Sequence, residues 1–150
     1  MLEEDRILTI IRDIYEQLPF NHHLGLRVRR LARDGAGFDF AMRPELVGNF
    51  VHGILHGGVI SSVLDATGGL IATISAIDRL RPLPDAEIRK SIARVGTIDL
   101  RVDYLRPGKG AHFHSSGAVM RTGRKVSVTR MELRNETDNL IAVGTAAYIM

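Results

Sequence analysis

His56-Gly57-Gly58-Val59-Ile60-Ser61-Ser62-Val63-Leu64-Asp65-Ala66-Thr67-Gly68-Gly69 opens an apolar helical stretch that runs on to Ile77. From Val51 to Ile77 the segment has the length and apolarity of a membrane span. His52, His56, Asp65 and two glycine pairs argue against that use, because charge at a bilayer centre is costly. The expectation is a helix at residues 56–77 buried inside protein, with the rest of the chain built around it. Asp65 is then the anomaly, since an unpaired buried charge is among the most expensive things a core can hold. Chemistry is the simplest reason to keep it.

The flanking patterns supply the wrapping. Leu2, Ile7, Leu8, Ile10, Ile11, Ile14, Tyr15 and Leu18 form a helical stripe over residues 1–19, which Pro19 is expected to stop. Leu24 to Leu31 reads as a strand, Gly35 and Gly37 as a turn, and Phe38, Phe40 and Met42 as the returning strand. Pro44 to Leu55 reads as a loop with room for a helical turn. After a charged connection from Asp78 to Arg94 (Pro82, Pro84, a short helix at Asp85–Ala93), the period becomes two. Ile98, Leu100, Val102 and Tyr104 alternate with Thr97, Asp99, Arg101 and Asp103. Further strands are expected near 111–121, 124–135 and 140–149, turning at Thr122-Gly123 and Thr137-Asp138-Asn139. The class is α+β: a four-strand antiparallel meander over 97–149 packed on one helix, in a single domain spanning 1–150.

Composition excludes several functions. There is no cysteine among 150 residues, so disulfides, thiolate nucleophiles and cysteine-bound zinc are out. The Met1 end is acidic without an apolar core segment, so no signal peptide is expected and the cytoplasm is the default. A net charge of +3 suits nucleic acid or a phosphorylated small molecule, but aromatic content of 5% without tryptophan argues against a base-stacking surface. His52 and His56 stand at i, i+4 with no third ligand in view, so no metal is expected. His112 and His114 read as surface residues.

At the start of the long helix, Gly57 and Gly58 would leave amide N–H groups open to a carbonyl oxygen turning into an oxyanion. A tight turn for close packing explains them equally well. Asp65 shares a small, polar helix face with Ser61, Ser62, Gly68 and Gly69, and suits a general base or a nucleophile. Gly58 and Asp65 lie seven residues apart, about 10 Å along a helix. Both must come within about 3 Å of one carbonyl or its attacking water. One helix cannot supply both, whereas two antiparallel copies across a two-fold axis can. Gly68 and Gly69 suit such an approach, and a homodimer is expected. Arg106, Lys109, Arg121, Arg124 and Lys125 fall at strand ends and in the Thr122-Gly123 turn, where they suit phosphate binding or serve as a solvated charged edge.

His56-Gly57-Gly58 followed by Asp65, the strand from Thr97 to Pro107, Gly123-Arg124-Lys125 and the closing Ala142-Val143-Gly144-Thr145-Ala146 resemble the hotdog-fold thioesterases of the phenylacetate-degradation type. The resemblance covers Leu24 to the end. It implies a curved antiparallel sheet around the helix, preceded here by an extra N-terminal helix, in a homodimer or homotetramer. It implies hydrolysis of an acyl-coenzyme A thioester without a cofactor, coenzyme A being part of the substrate. Carried over, Asp65 would be base or nucleophile, the Gly58 N–H would polarise the carbonyl of a thioester held by the other chain, and His56 would order the loop or assist the leaving thiol. Thr97 would help hold water, with Gly57 and Ser61 beside the substrate. Tyr104, Arg106, Gly108 and Lys109, together with Arg121, Thr122, Gly123, Arg124 and Lys125, would bind coenzyme A. Where the family often has an amide six residues before the histidine, this chain has Phe50, with Asn49 one position earlier. Aliphatic content favours medium or long straight acyl chains. The alternative is a non-catalytic binder of acyl-CoA or acyl carrier on the same fold. A dehydratase lacks its usual histidine and acid here.

Overall fold

The computed structural model describes residues 3–78 and 83–150; residues 79–82, within the expected charged connection, lie outside it. Helix α1 (Glu3–Gln17) buries Ile7, Ile11 and Tyr15 along one face, as its stripe requires. Pro19 interrupts the helix without ending helical structure. Leu18, held extended (φ −54°, ψ 127°) as a residue before proline tends to be, breaks α1. Pro19 then opens a second, short helix, α2 (Pro19–Leu24), because proline is well suited to a first helical turn. Gly25 closes it at φ 74°, so the first strand starts later than Leu24.

Strands β1 (Arg27–Ala32) and β2 (Gly35–Ala41) form the expected hairpin. The stretch expected as a loop instead holds a 3-10 turn (Pro44–Leu46) and a small hairpin of β3 (Val47–Asn49) and β4 (Ile54–Leu55). The long helix α3 (Gly57–Asp78) follows, then α4 (Asp85–Arg94), whose Asp85 pairs with Arg6 of α1. Four long strands complete the chain: β5 (Gly96–Tyr104), β6 (His112–Thr122), β7 (Val126–Asn135) and β8 (Leu140–Ile149).

The large sheet is antiparallel, in the order β1-β2-β6-β7-β8-β5. The expected four-strand meander is therefore corrected: only β6, β7 and β8 run as one. β6 turns its free side to β2, which leaves β5 to pair with β8 at the far edge. This sheet curls around α3, the hotdog arrangement. Val63, Leu64, Leu70, Ile71 and Ala72 of α3 are buried against Phe38, Phe113, Met131, Leu133 and Ala146. Small residues on β8 let the sheet come close. A Cβ on Gly144 would lie 3.3 Å from the Leu64 side chain.

Although α3 is long and apolar enough to cross a membrane, two-thirds of its apolar window (67%) is buried in the fold. The buried hydroxyls on its inner face are paired. Thr67 Oγ1 reaches Val63 O and Ser115 Oγ, both at 2.7 Å, and Thr73 meets the Tyr15 hydroxyl at 2.6 Å.

Candidate active site

At the N-terminus of α3 the amides of Gly57 and Gly58 lack main-chain acceptors among the described residues, Val59 N–H already reaching the His56 carbonyl at 2.9 Å, and the sequence supplies its own cap. His56 Nδ1 accepts the Gly58 N–H at 2.8 Å. This bond places the imidazole proton on Nε2, leaving that atom as a donor. It also accounts for Gly58, where a Cβ would sit 2.9 Å from His56 Nδ1. The Gly58 amide, expected to point free at a carbonyl, is thus engaged by His56. The Gly57 amide is the one that donates to no acceptor among the described residues. Gly57 lines an open groove with Leu55, Ile60, Tyr104, Leu105 and Gly108, and Tyr104 donates to the Gly57 carbonyl at 3.1 Å. Ser61 and Ser62 both donate to the Gly58 carbonyl, at 3.1 and 2.6 Å, so neither hydroxyl is poised as a nucleophile.

Asp65 lies about two turns further along, half-buried. Its Oδ1 accepts two hydroxyl hydrogen bonds, from Thr97 at 2.8 Å and from Tyr148 at 3.1 Å. Tyr148 also stands 2.9 Å from the Asp65 main-chain carbonyl. Its hydroxyl pKa is pushed up by burial first and by the Asp65 charge second, so it remains a neutral donor. Asp65 Oδ2 has no partner among the described residues.

Thr97 and Tyr148 face each other across the β5–β8 ladder. Next to them the register slips: Thr97 pairs with Tyr148 but Asp99 with Ala147, which makes Ile98 an extra residue, a β-bulge. The Ala147 amide, displaced by the bulge, is taken up by Asp99 Oδ1 at 3.1 Å. Nothing in the composition of β8 marked Tyr148 as functional. Its signal in the sequence was indirect, in Gly68 at the middle of a helix.

Gly68 has a reason within its own chain, whereas Gly69 does not. A Cβ at Gly68 would fall 2.7 Å from Tyr148 Cε2 and overlap its hydroxyl. The clearance at Gly68 is therefore occupied by Tyr148 of the same chain, not kept for a second copy of the helix. A Cβ at Gly69 would meet Tyr148 and Tyr15 at 3.7 Å, an ordinary contact.

Asn49 holds the β3–β4 turn through Oδ1, which accepts the Val51 and His52 amides at 3.0 and 3.3 Å, so only its Nδ2 is left to reach elsewhere. Phe50, beside it, is 91% exposed. The two expected coenzyme A segments are not brought together within one chain. Tyr104, Arg106, Gly108 and Lys109 lie at the Gly57 end of the sheet. Arg121, Thr122, Gly123, Arg124 and Lys125 turn at the opposite end, level with Thr97 and Tyr148. Seven residues of β5 separate those ends, about 23 Å.

A family model described as the thioesterase superfamily matches residues 52–142, the stretch from the histidines before α3 into β8. The medium/long-chain acyl-CoA thioesterase YigI of Escherichia coli K12 is 40% identical, over 100% of this chain and 97% of its own. The protein of that name from Salmonella typhimurium is 41% identical over the same shares. A crystal structure from Shewanella oneidensis, described as related to the thioesterase superfamily, is 42% identical with a TM-score of 0.90, covering 97% of this chain and 95% of that one. With more than half the chain inside the family match and relatives aligned along its whole length, this chain belongs to the thioesterase superfamily.

Proposed function

We propose that this protein hydrolyses medium- to long-chain acyl-CoA thioesters to a free fatty acid and coenzyme A in the cytoplasm, with active sites shared by two copies of the chain. The observation that carries the reading is Asp65: a carboxylate on the central helix with one oxygen tied by two hydroxyls and the other open. The acyl-CoA class rests on full-length similarity to relatives named for that activity.

The thioester carbonyl lies on the free Gly57 N–H, which takes the role expected of Gly58 and stabilises the oxyanion. Asp65 Oδ2 of the other chain acts at the carbonyl carbon. As a base, it takes a proton from water as the C–O bond forms; as a nucleophile, it forms that bond itself and water later releases the acid. In either case the C–S bond breaks and the thiolate recovers a proton. His56 Nε2–H, near the helix start, is the donor the geometry offers.

Two independent distances favour the shared site. Gly57 and Asp65 are eight residues apart, about 12 Å of helix. The two basic segments sit at opposite ends of the sheet. An antiparallel pairing of two α3 helices closes both gaps at once, setting Gly57 and Arg106 of one chain near Asp65 and Arg124 of the other.

Thiol release from short-, medium- and long-chain and aryl acyl-CoAs tests the reading. Turnover is expected with the medium and long straight chains and is expected to be lost in Asp65→Asn. Tight binding of acyl-CoA without thiol release would favour the non-catalytic binder instead.

A further inference from the structure

We infer that Tyr148 is a positioning residue for Asp65, and that with Thr97 it assigns the two carboxylate oxygens different work, Oδ1 to hold and Oδ2 to react. The inference rests on reading Asp65 as the reacting carboxylate. Tyr148 is only 1% exposed and so does not touch substrate; it acts through its hydroxyl, 3.1 Å from Oδ1 and 2.9 Å from the Asp65 carbonyl oxygen. The hydroxyl has one proton, shared between these two oxygens, and its contact with the carbonyl ties the phenol to the helix backbone. The bond to Oδ1 fixes the carboxylate's rotation about its side chain. Thr97 adds a second donor to the same oxygen from the neighbouring strand at 2.8 Å. Two donors on one oxygen hold the carboxylate plane and direct Oδ2 away from them.

Three independent features converge on this arrangement. The bulge at Ile98 sets the Thr97–Tyr148 pair opposite Asp65, and Asp99 repairs the amide the bulge displaces. Gly68 lacks the side chain that would collide with the Tyr148 ring. The β8 residues before Tyr148 that face α3 are small (Ala142, Gly144, Ala146), so the one large hydroxyl-bearing residue falls at the level of the carboxylate. The ionisable groups coupled to Asp65 are Tyr148 from β8 and Tyr15 from α1, with Thr97 of β5 as a neutral donor.

Tyr148→Phe keeps the ring against Gly68 and removes only the hydroxyl. Gly68→Ala keeps both partners and drives the phenol off the carboxylate. In each, kcat is expected to fall about tenfold, the loss of one hydrogen bond to a charged group, with KM within about twofold because substrate contacts are untouched. In an Asp65→Asn background, Tyr148→Phe should cost nothing further. At neutral pH the carboxyl carbon resonance of Asp65, assigned by its disappearance in Asp65→Asn, should move in Tyr148→Phe. Unchanged kcat in a folded Tyr148→Phe, a raised KM as its main effect, or an unmoved Asp65 resonance would each overturn the inference. Should the wild type release no thiol from any acyl-CoA, the acyl-CoA reading fails; the resonance still decides whether Tyr148 holds Asp65.

Discussion

At the scale of single residues, the proposed site separates a group meant to react, Asp65, from groups that hold it, Thr97 and Tyr148. Asp65→Asn preserves shape and one acceptor but removes the basic oxygen, so kcat should drop by at least about a hundredfold with little change in melting temperature. Stopped thiol-release assays and a thermal melt on one preparation check both halves. His56 is a double case: it caps α3 through the Gly58 amide and presents Nε2–H outward. His56→Ala should lower stability by about 1 kcal/mol, as loss of a helix cap does, and reduce kcat as well, whereas an isolated cap would change only the melt. Asp65 stood out in the sequence because a charge in an apolar helix has few structural excuses, whereas Thr97 and the role of His56 entered only through the family resemblance. Tyr148 was not legible, since a tyrosine near the end of an alternating strand looks like any core aromatic. Nor was the choice between Gly57 and Gly58, which depends on the rotamer of one imidazole.

The central helix shows how an element's composition encodes its neighbours. Glycine within a helix costs about 1 kcal/mol relative to alanine, so a Gly-Gly pair at mid-helix needs a reason. The two glycines differ. Gly68 is under the Tyr148 ring, with a Cβ position 2.7 Å from Cε2, whereas the Gly69 position has 3.7 Å of clearance. Gly68→Ala should therefore destabilise by about 1–3 kcal/mol through overpacking, while Gly69→Ala should be neutral or stabilising by up to about 1 kcal/mol. Urea unfolding midpoints of the two variants measure the contrast. Equal effects would detach the glycines from Tyr148. The long helices and the late strands were legible from period alone. The partner order was not: local patterning says nothing about β6 taking β2 as its neighbour and sending β5 to the edge of β8. The short helix after Pro19 and the β3–β4 hairpin were hidden by length, being too brief for a period to register.

For the molecule as a whole, two ionisable groups in the core set an alkaline limit. Burial raises the Tyr15 hydroxyl from 10.0 to about 12, with its bond to Thr73 opposing, and burial and the Asp65 charge raise Tyr148 as well. A phenol whose folded pKa lies above its unfolded value stabilises the native state fully below the unfolded value and loses that contribution as pH rises through the folded one. Stability should thus hold up to about pH 10 and decline between there and about pH 12, more gently in Tyr15→Phe; melts across that range test it. The same scale governs substrate binding. Replacing Arg121, Arg124 and Lys125 by alanine should raise KM for acyl-CoA about three- to tenfold, with little effect on kcat and with strong dependence on salt.

The shared site can be tested without knowing the acyl preference. Gly57→Pro removes the amide donor while suiting the first position of a helix, and Asp65→Asn removes the reacting oxygen. Each homodimer should be inactive. Coexpressed with different tags and purified as a mixed dimer, the two variants should recover about half the wild-type turnover per dimer, since one of the two shared sites is then intact. A mixed dimer no more active than either parent, or a monomer with full activity, would contradict the account.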